Sequence, residues 1–275
     1  MIGLVTDSNA QLPVDLRERY QVGVVPLTVV VDDQPYREGV DITSAEFYER
    51  LAGGASVSTA APSPGAVLEV YEQQAAAGAT QILSVHIGSN TSATVNAVTV
   101  AAGSSPVPVE VVDTGTASFA VACCVWAAGE ALAAGADSGY AADTARRVAD
   151  QLGNVFIVGA LDLARRGGRL AAGAADREGV PVLALTGGQM QPVGRAHDVE
   201  SAVDAMTDYF VEGAAGVPQR VGVGDALTPE LAEEYADRLA GRPEVAELVR
   251  YEIGPSVGAH TGAGTVGACF FPVSP

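Results

Sequence analysis

The sequence contains no lysine. All 15 basic residues are arginines, set against 33 Asp and Glu, for a formal net charge of −18 over 275 residues. Chemistry that runs through a lysine amine is thereby excluded, including Schiff-base catalysis and the phosphate-gripping lysine of a P-loop. So acidic a chain repels a phosphate backbone rather than neutralising it, which argues against nucleic acid as a partner. Cysteine and histidine are scarce too, three of each. No CxxC or HExxH spacing occurs, so neither a structural metal nor a cofactor is expected. Cys123 and Cys124 are neighbours in an apolar helical segment and Cys269 lies in an apolar strand-like run; the three read as buried, reduced thiols. No apolar run approaches the roughly 18 residues of a membrane span. The opening MIGLVTDSNA has no charged region ahead of its apolar stretch, so no signal peptide is evident. The expectation is a soluble, cytoplasmic protein.

What the sequence does hold is core material, 48% of it apolar. Short apolar runs read as strands at Ile2–Val5, Val22–Val31, Ile82–Ile87, Val107–Val112 and Val155–Val158. Helices begin where capping chemistry precedes helical spacing. Thr43…Glu46 matches a capping box, and Ser63-Pro64 sets a capping hydroxyl before a proline at the first helical position. Ala117–Ala134 is an almost uncharged helix, hence buried. This alternation predicts a mostly parallel, Rossmann-like sheet with helices over residues 1–153. From 154 to 275 the strand candidates Val180–Leu185, Gln189–Gly194, Arg220–Gly224, Leu248–Ile253 and Ala268–Val273 outnumber the helices Glu200–Val211 and Pro229–Ala240. Thr228 reads as the cap of the latter. Gly187-Gly188 signals a hairpin, and a second, α+β domain follows from the pattern.

Two hydroxyl-rich turns stand at expected helix starts, Ser58–Gly65 and Gly88–Thr94. Helix N-termini offer free N–H groups and positive partial charge, which suit a carboxylate or phosphate; ordinary capping by Ser63 or Ser92 is the plainer alternative. Residues Ile253–Gly267 form a glycine-rich segment displaying His260. Its GxGxxG match is no Rossmann site, because no long helix can follow and no acidic ribose ligand has room. Arg165-Arg166-Gly167-Gly168-Arg169 reads either as a helix C-terminus with favourable charge or as an anion or partner-docking patch. Arg195, closing a strand after Gly194, carries the same two readings. Asp7 and Asp113 each end a predicted parallel strand, where Asx turns are common.

Taken in order, these segments resemble the DegV family over essentially the whole chain. The resemblance rests on Thr6-Asp7-Ser8, Thr59…Pro62-Ser63-Pro64-Gly65, the Ser92 turn, Val112-Asp113-Thr114, Leu161…Arg169-Leu170, Gly179–Leu183 and Ile253-Gly254-Pro255…His260-Thr261-Gly262. It implies two α/β domains enclosing one long-chain fatty acid in an apolar tunnel. The carboxylate would be held by Thr59, Ser92 and His260, with Thr261 beside them. It further implies a partner, a fatty acid kinase subunit that binds ATP and makes acyl-phosphate, with Arg195 and Arg169 on the phosphotransfer side. Transient membrane contact would suit a lipid carrier. The family's Thr-Ser-Gln is Thr59-Ala60-Ala61 here, and its Gly-Pro-Gly is Gly262-Ala263-Gly264.

Two other readings stand beside this one. Ser92, Asp113 and His260 follow the chain order of an α/β-hydrolase triad, although no GxSxG elbow exists. The fold of the family also resembles the substrate-holding subunit of dihydroxyacetone-type kinases, where His260 would hold a small ketone.

Overall fold

The computed structural model describes residues 1–171 and 178–274. In chain order the first half comprises β1 (Ile2–Asp7), α1 (Val14–Arg19), β2 (Gly23–Val25), β3 (Thr28–Val31), β4 (Gln34–Arg37), α2 (Ser44–Ala52), β5 (Val57–Ala60), α3 (Pro64–Ala76), β6 (Gln81–His86), α4 (Thr94–Ala102), β7 (Val109–Asp113), α5 (Phe119–Ala133) and α6 (Ser138–Gln151). The second comprises β8 (Gly153–Ile157), α7 (Leu161–Arg166), β9 (Val180–Thr186), β10 (Gln189–Ala196), α8 (Val199–Ala214), β11 (Gln219–Asp225), α9 (Pro229–Ala240), β12 (Val245–Glu252), α10 (Pro255–Thr261) and β13 (Val266–Pro272).

Three sheets result. A parallel sheet runs β2-β1-β6-β7, a mixed sheet runs β10-β9-β8-β13-β11-β12, and a small antiparallel sheet runs β4-β3-β5. Helices α3 and α4 cover one face of the parallel sheet. The other face packs on α5 and α6, which press against β13 of the mixed sheet, and α8 and α9 close its far side. The layers therefore alternate helix, sheet, helix, sheet, helix. The mixed α/β class with a parallel first sheet is as expected from the alternation of elements.

Helix α5 explains the tight middle layer. Every residue from Phe119 to Gly129 is buried, and most are small, so two sheets can approach a helix from both sides. Thr43 closes a capping box with Glu46, and Ser63 accepts the Ala66 N–H at 3.1 Å. Ser63 is thus a helix cap. Gly187 and Gly188, at φ 58° and 80°, make the β9–β10 turn, a left-handed pair suited to a tight hairpin.

Several expectations need correction. The run Val22–Val31 is two strands in two different sheets, because Pro26 has no N–H for a ladder and breaks it. The small sheet's β4 and β5 were not foreseen; β4 holds Gln-Pro-Tyr-Arg, with no alternation to betray it. Strands β11 and β12 pair in parallel, joined by α9, so the α+β second half holds a parallel pair beside its antiparallel ones. Thr228 makes no side-chain cap; instead Asp225 accepts the Thr228 N–H at 2.9 Å. Residues 255–261, read in the sequence only as part of a glycine-rich segment, form a short helix whose first position is Pro255. No helix of the described residues is long and apolar enough to cross a membrane.

Candidate functional site

At the carboxyl edge of the parallel sheet lies a cavity of about 360 Å³, within the span of about 300–1,000 Å³ usual for small-molecule pockets. Its roof comes from Asn9 and Ile87 just beyond β1 and β6, from Leu27 and Thr59 of the small-sheet region, and from α10. Its floor crosses the mixed sheet strand by strand: Met190 on β10, Leu185 on β9, Asn154–Phe156 on β8, Gly267–Cys269 on β13 and Tyr251 from β12.

Many polar lining groups are already committed within the protein. Asn9 accepts the Ser118 N–H at 2.7 Å and donates to Ser256 at 3.3 Å. Asn154 exchanges two bonds with the Leu185 backbone. Thr261 donates to the Val257 carbonyl at 3.3 Å, and Thr265 to the carbonyls of Thr261 and Gly262. With hydrogen bonds made, these groups present mainly carbon to the cavity.

One end is different. There Thr59 Oγ1 lies 3.0 Å from His260 Nε2, and Arg169 donates to the Thr91 carbonyl at 2.6 Å. Ser92 pairs with Thr94 at 2.8 Å and accepts its N–H at 3.3 Å. Thr59, Thr91, Ser92, Arg169 and His260 all line the cavity. Helix α4 starts at Thr94 with Ala93 in the cap position, so Ser92 sits in the turn before the helix. Two glycine-bearing motifs meet here. A Cβ on Gly167 would fall 2.7 Å from His260 Nδ1, so the bare glycine of Arg166-Gly167-Gly168-Arg169 makes room for the imidazole.

Burial, and secondarily the charge of Arg169, lower the His260 pKa to about 4, so the ring is neutral near pH 7. Its Nδ1 is buried with no hydrogen-bond partner. With its proton on Nε2, His260 donates to Thr59, and the Thr59 hydroxyl is released to donate onward. The end thus gathers donors and a guanidinium, chemistry that suits an anion.

The other nominated residues fall as follows. Thr261 lines the cavity, but its hydroxyl is spent within α10. Arg195 is not among the lining residues; it stands on β10, donating to the carbonyls of Glu178 and Gly179 at 3.2 Å. Asp113 accepts the N–H groups of Ser89 and Gly115. Ser92, Asp113 and His260 therefore engage separate partners, and no triad is assembled from them. A hydrogen-bonded chain of the right residue types does exist elsewhere: Ser84 to His86 at 2.6 Å and His86 to Asp7 at 2.8 Å. All three are 0% exposed, which closes them to any substrate. Sequence reading missed this chain, because His86 gave no local pattern. It also missed the wall residues Asn154, Met190 and Tyr251, which have no motif. Among the described residues, no group of three or more His, Cys, Asp or Glu could hold a metal ion.

These features define a layered α/β protein with an apolar cavity closed at one end by an anion-friendly cluster. The family model for DegV, described as an uncharacterised protein family, matches residues 1–273, and the chain belongs to that family. A DegV domain-containing protein of Streptomyces coelicolor is 36% identical over 271 residues, 97% of this chain and 96% of that protein. One from Mycobacterium tuberculosis is 31% identical over 273 residues, 97% and 95% respectively. Among solved structures, a DegV family protein from Thermus thermophilus, described for its fatty acid binding, is 32% identical with a TM-score of 0.90 over 99% of both chains. Bacillus subtilis DegV, described as a fatty acid binding protein, is 25% identical with a TM-score of 0.87, covering 98% of this chain and 99% of that one.

Proposed function

We propose that this chain binds one long-chain fatty acid, its carboxylate at the Thr59–Ser92–His260 end beside Arg169 and its acyl chain along the apolar floor as in a tunnel. The observation that carries the reading is the distribution of polar groups: Asn9, Asn154, Thr261 and Thr265 along the walls are hydrogen-bonded within the protein, while Thr59, Ser92, Arg169 and His260 gather at one end. Fatty acid binding by the Thermus and Bacillus relatives supports it. Each buried CH₂ contributes about 0.8 kcal/mol, so a long chain supplies ample affinity, whereas a small polar ketone would leave most of the cavity unused. In this reading the protein is a carrier without catalysis of its own, working in the cytoplasm and loading by transient contact with a membrane. It presents the carboxylate to a fatty acid kinase subunit, and Arg195 serves that partner. We take residues 1–153 and 154–275 as its two domains.

The test is native mass spectrometry of the purified protein, followed by denaturation and identification of whatever is released. A stoichiometric fatty acid is expected. A protein that is empty and takes up no added fatty acid would overturn the reading.

A further inference from the structure

Opposite the polar end, the cavity stops at an aromatic wall. The direction is fixed by the strand order. Arg169 sits by β10, where its carbonyl accepts the Met190 N–H at 2.7 Å, and the floor then crosses β9, β8 and β13 to reach Tyr251 of β12. Tyr251 stacks on Phe119 of α5 with ring centroids 4.3 Å apart and planes 11° from parallel.

The stack rests on strand β11, whose sequence Val221-Gly222-Val223-Gly224 alternates in a revealing way. Val221 and Val223 pack in the core under α8 and α9. On the opposite face, a Cβ on Gly222 would fall 2.0 Å from Phe119, and one on Gly224 2.2 Å from Tyr251. Both rings therefore press closely on a strand with no side chains of its own on that face. Ser118 and Cys269 line the cavity together with Tyr251. Ser118 is held at φ 62°, left-handed backbone that is costly for a residue with a Cβ, and its N–H is pinned by Asn9.

We propose that Tyr251, braced by Phe119, is the end stop of the acyl channel and determines the longest chain the protein accepts. This rests on the fatty acid reading above. Were the Tyr251 ring removed, the trough would continue over the bare face of β11. Were Cys269 enlarged, it would shorten from the same end. Accommodating one further two-carbon step, instead of excluding it, is worth roughly tenfold in affinity.

The experiment offers an equimolar mixture of lauric, myristic, palmitic, stearic and arachidic acids to the full chain, with bound species read by native mass spectrometry. Tyr251→Leu is expected to move the favoured acid one step longer, enriching the longer acid roughly tenfold. Cys269→Met, which keeps the aromatic wall and guards against a Tyr251 variant that fails to fold, is expected to move it one step shorter. An unchanged acid profile in the folded variants, with wild type loaded, overturns the end stop alone. A wild-type protein that takes up none of the acids overturns the fatty acid reading and the end stop with it.

Discussion

His260 is held as a neutral imidazole by burial, and as the proposed head-group anchor it would be linked to protons. Its pKa is lowered from 6.5 to about 4 in the ligand-free protein. Between those values the unfolded chain takes up a proton that the folded chain refuses, so the ligand-free protein loses stability as pH falls through that window. A bound carboxylate acts in the opposite direction, because a nearby negative charge favours imidazolium. Fatty acid binding is therefore expected to raise the His260 pKa and to tighten as pH falls below neutral while the acid stays ionised. Titration of the His260 ring by NMR, with and without ligand, checks this; a value that stays near 4 on loading would count against carboxylate contact. His260→Ala and Ser92→Ala are each expected to weaken binding roughly tenfold to a hundredfold, the worth of a hydrogen bond to a charged group, with the fold intact. For His260→Ala the pH dependence should vanish as well. Unchanged affinity in both variants would remove these residues from the head-group site.

Asp7 ties one strand of the parallel sheet to the next. Its carboxylate accepts from the Asn9 N–H at 3.1 Å, the Ile87 N–H at 3.0 Å and His86 at 2.8 Å, all of it buried. An Asx turn at the end of β1 was legible in Thr6-Asp7-Ser8; the reach across to β6 was not, since His86 lies 79 positions away. Because Asn9 and Ile87 both line the cavity, the same carboxylate sets the roof. Asp7→Ala leaves three buried donors unpaired and is expected to cost about 3–5 kcal/mol, read as a lowered midpoint in urea denaturation. A loss within about 0.5 kcal/mol would mean that water or a rearranged loop replaces the carboxylate. Helices α2 and α3 were legible for the opposite reason: their caps act within three residues, as Thr43 to Glu46 and Ser63 to Ala66.

At the scale of the molecule, the layers separate the two jobs proposed for the arginines. Arg169 borders the cavity, while Arg195 stands on β10, an edge strand of the mixed sheet, outside the lining. Arg195→Ala is accordingly expected to leave fatty acid affinity unchanged within about twofold and to slow phosphorylation by a cognate kinase. Normal turnover in a coupled kinase assay would remove Arg195 from that role. The net charge of −18 adds a general expectation for such a partner: a face that meets this chain carries compensating basic residues, and salt weakens the encounter.

By itself the sequence determined the properties that depend on composition and on near neighbours. The missing lysine removes lysine-amine chemistry, and the uncharged run through Ala127 and Ala128 calls for a buried helix. Caps, the Gly187-Gly188 turn and the strand–helix alternation belong here too, because each is an interaction over a few residues. Even the break at Pro26 is chemically legible, although which sheet each half joins is not. Only the tertiary structure decided the site. Thr59 and His260 lie 201 positions apart, and Gly167 is vacant of a side chain for an imidazole that no local pattern would connect to it. Tyr251 became a wall only when β12 was laid beside the bare glycines of β11. Such contacts are bought by closing long loops around a common core, and short-range periodicity carries no record of which distant surfaces that closure brings together.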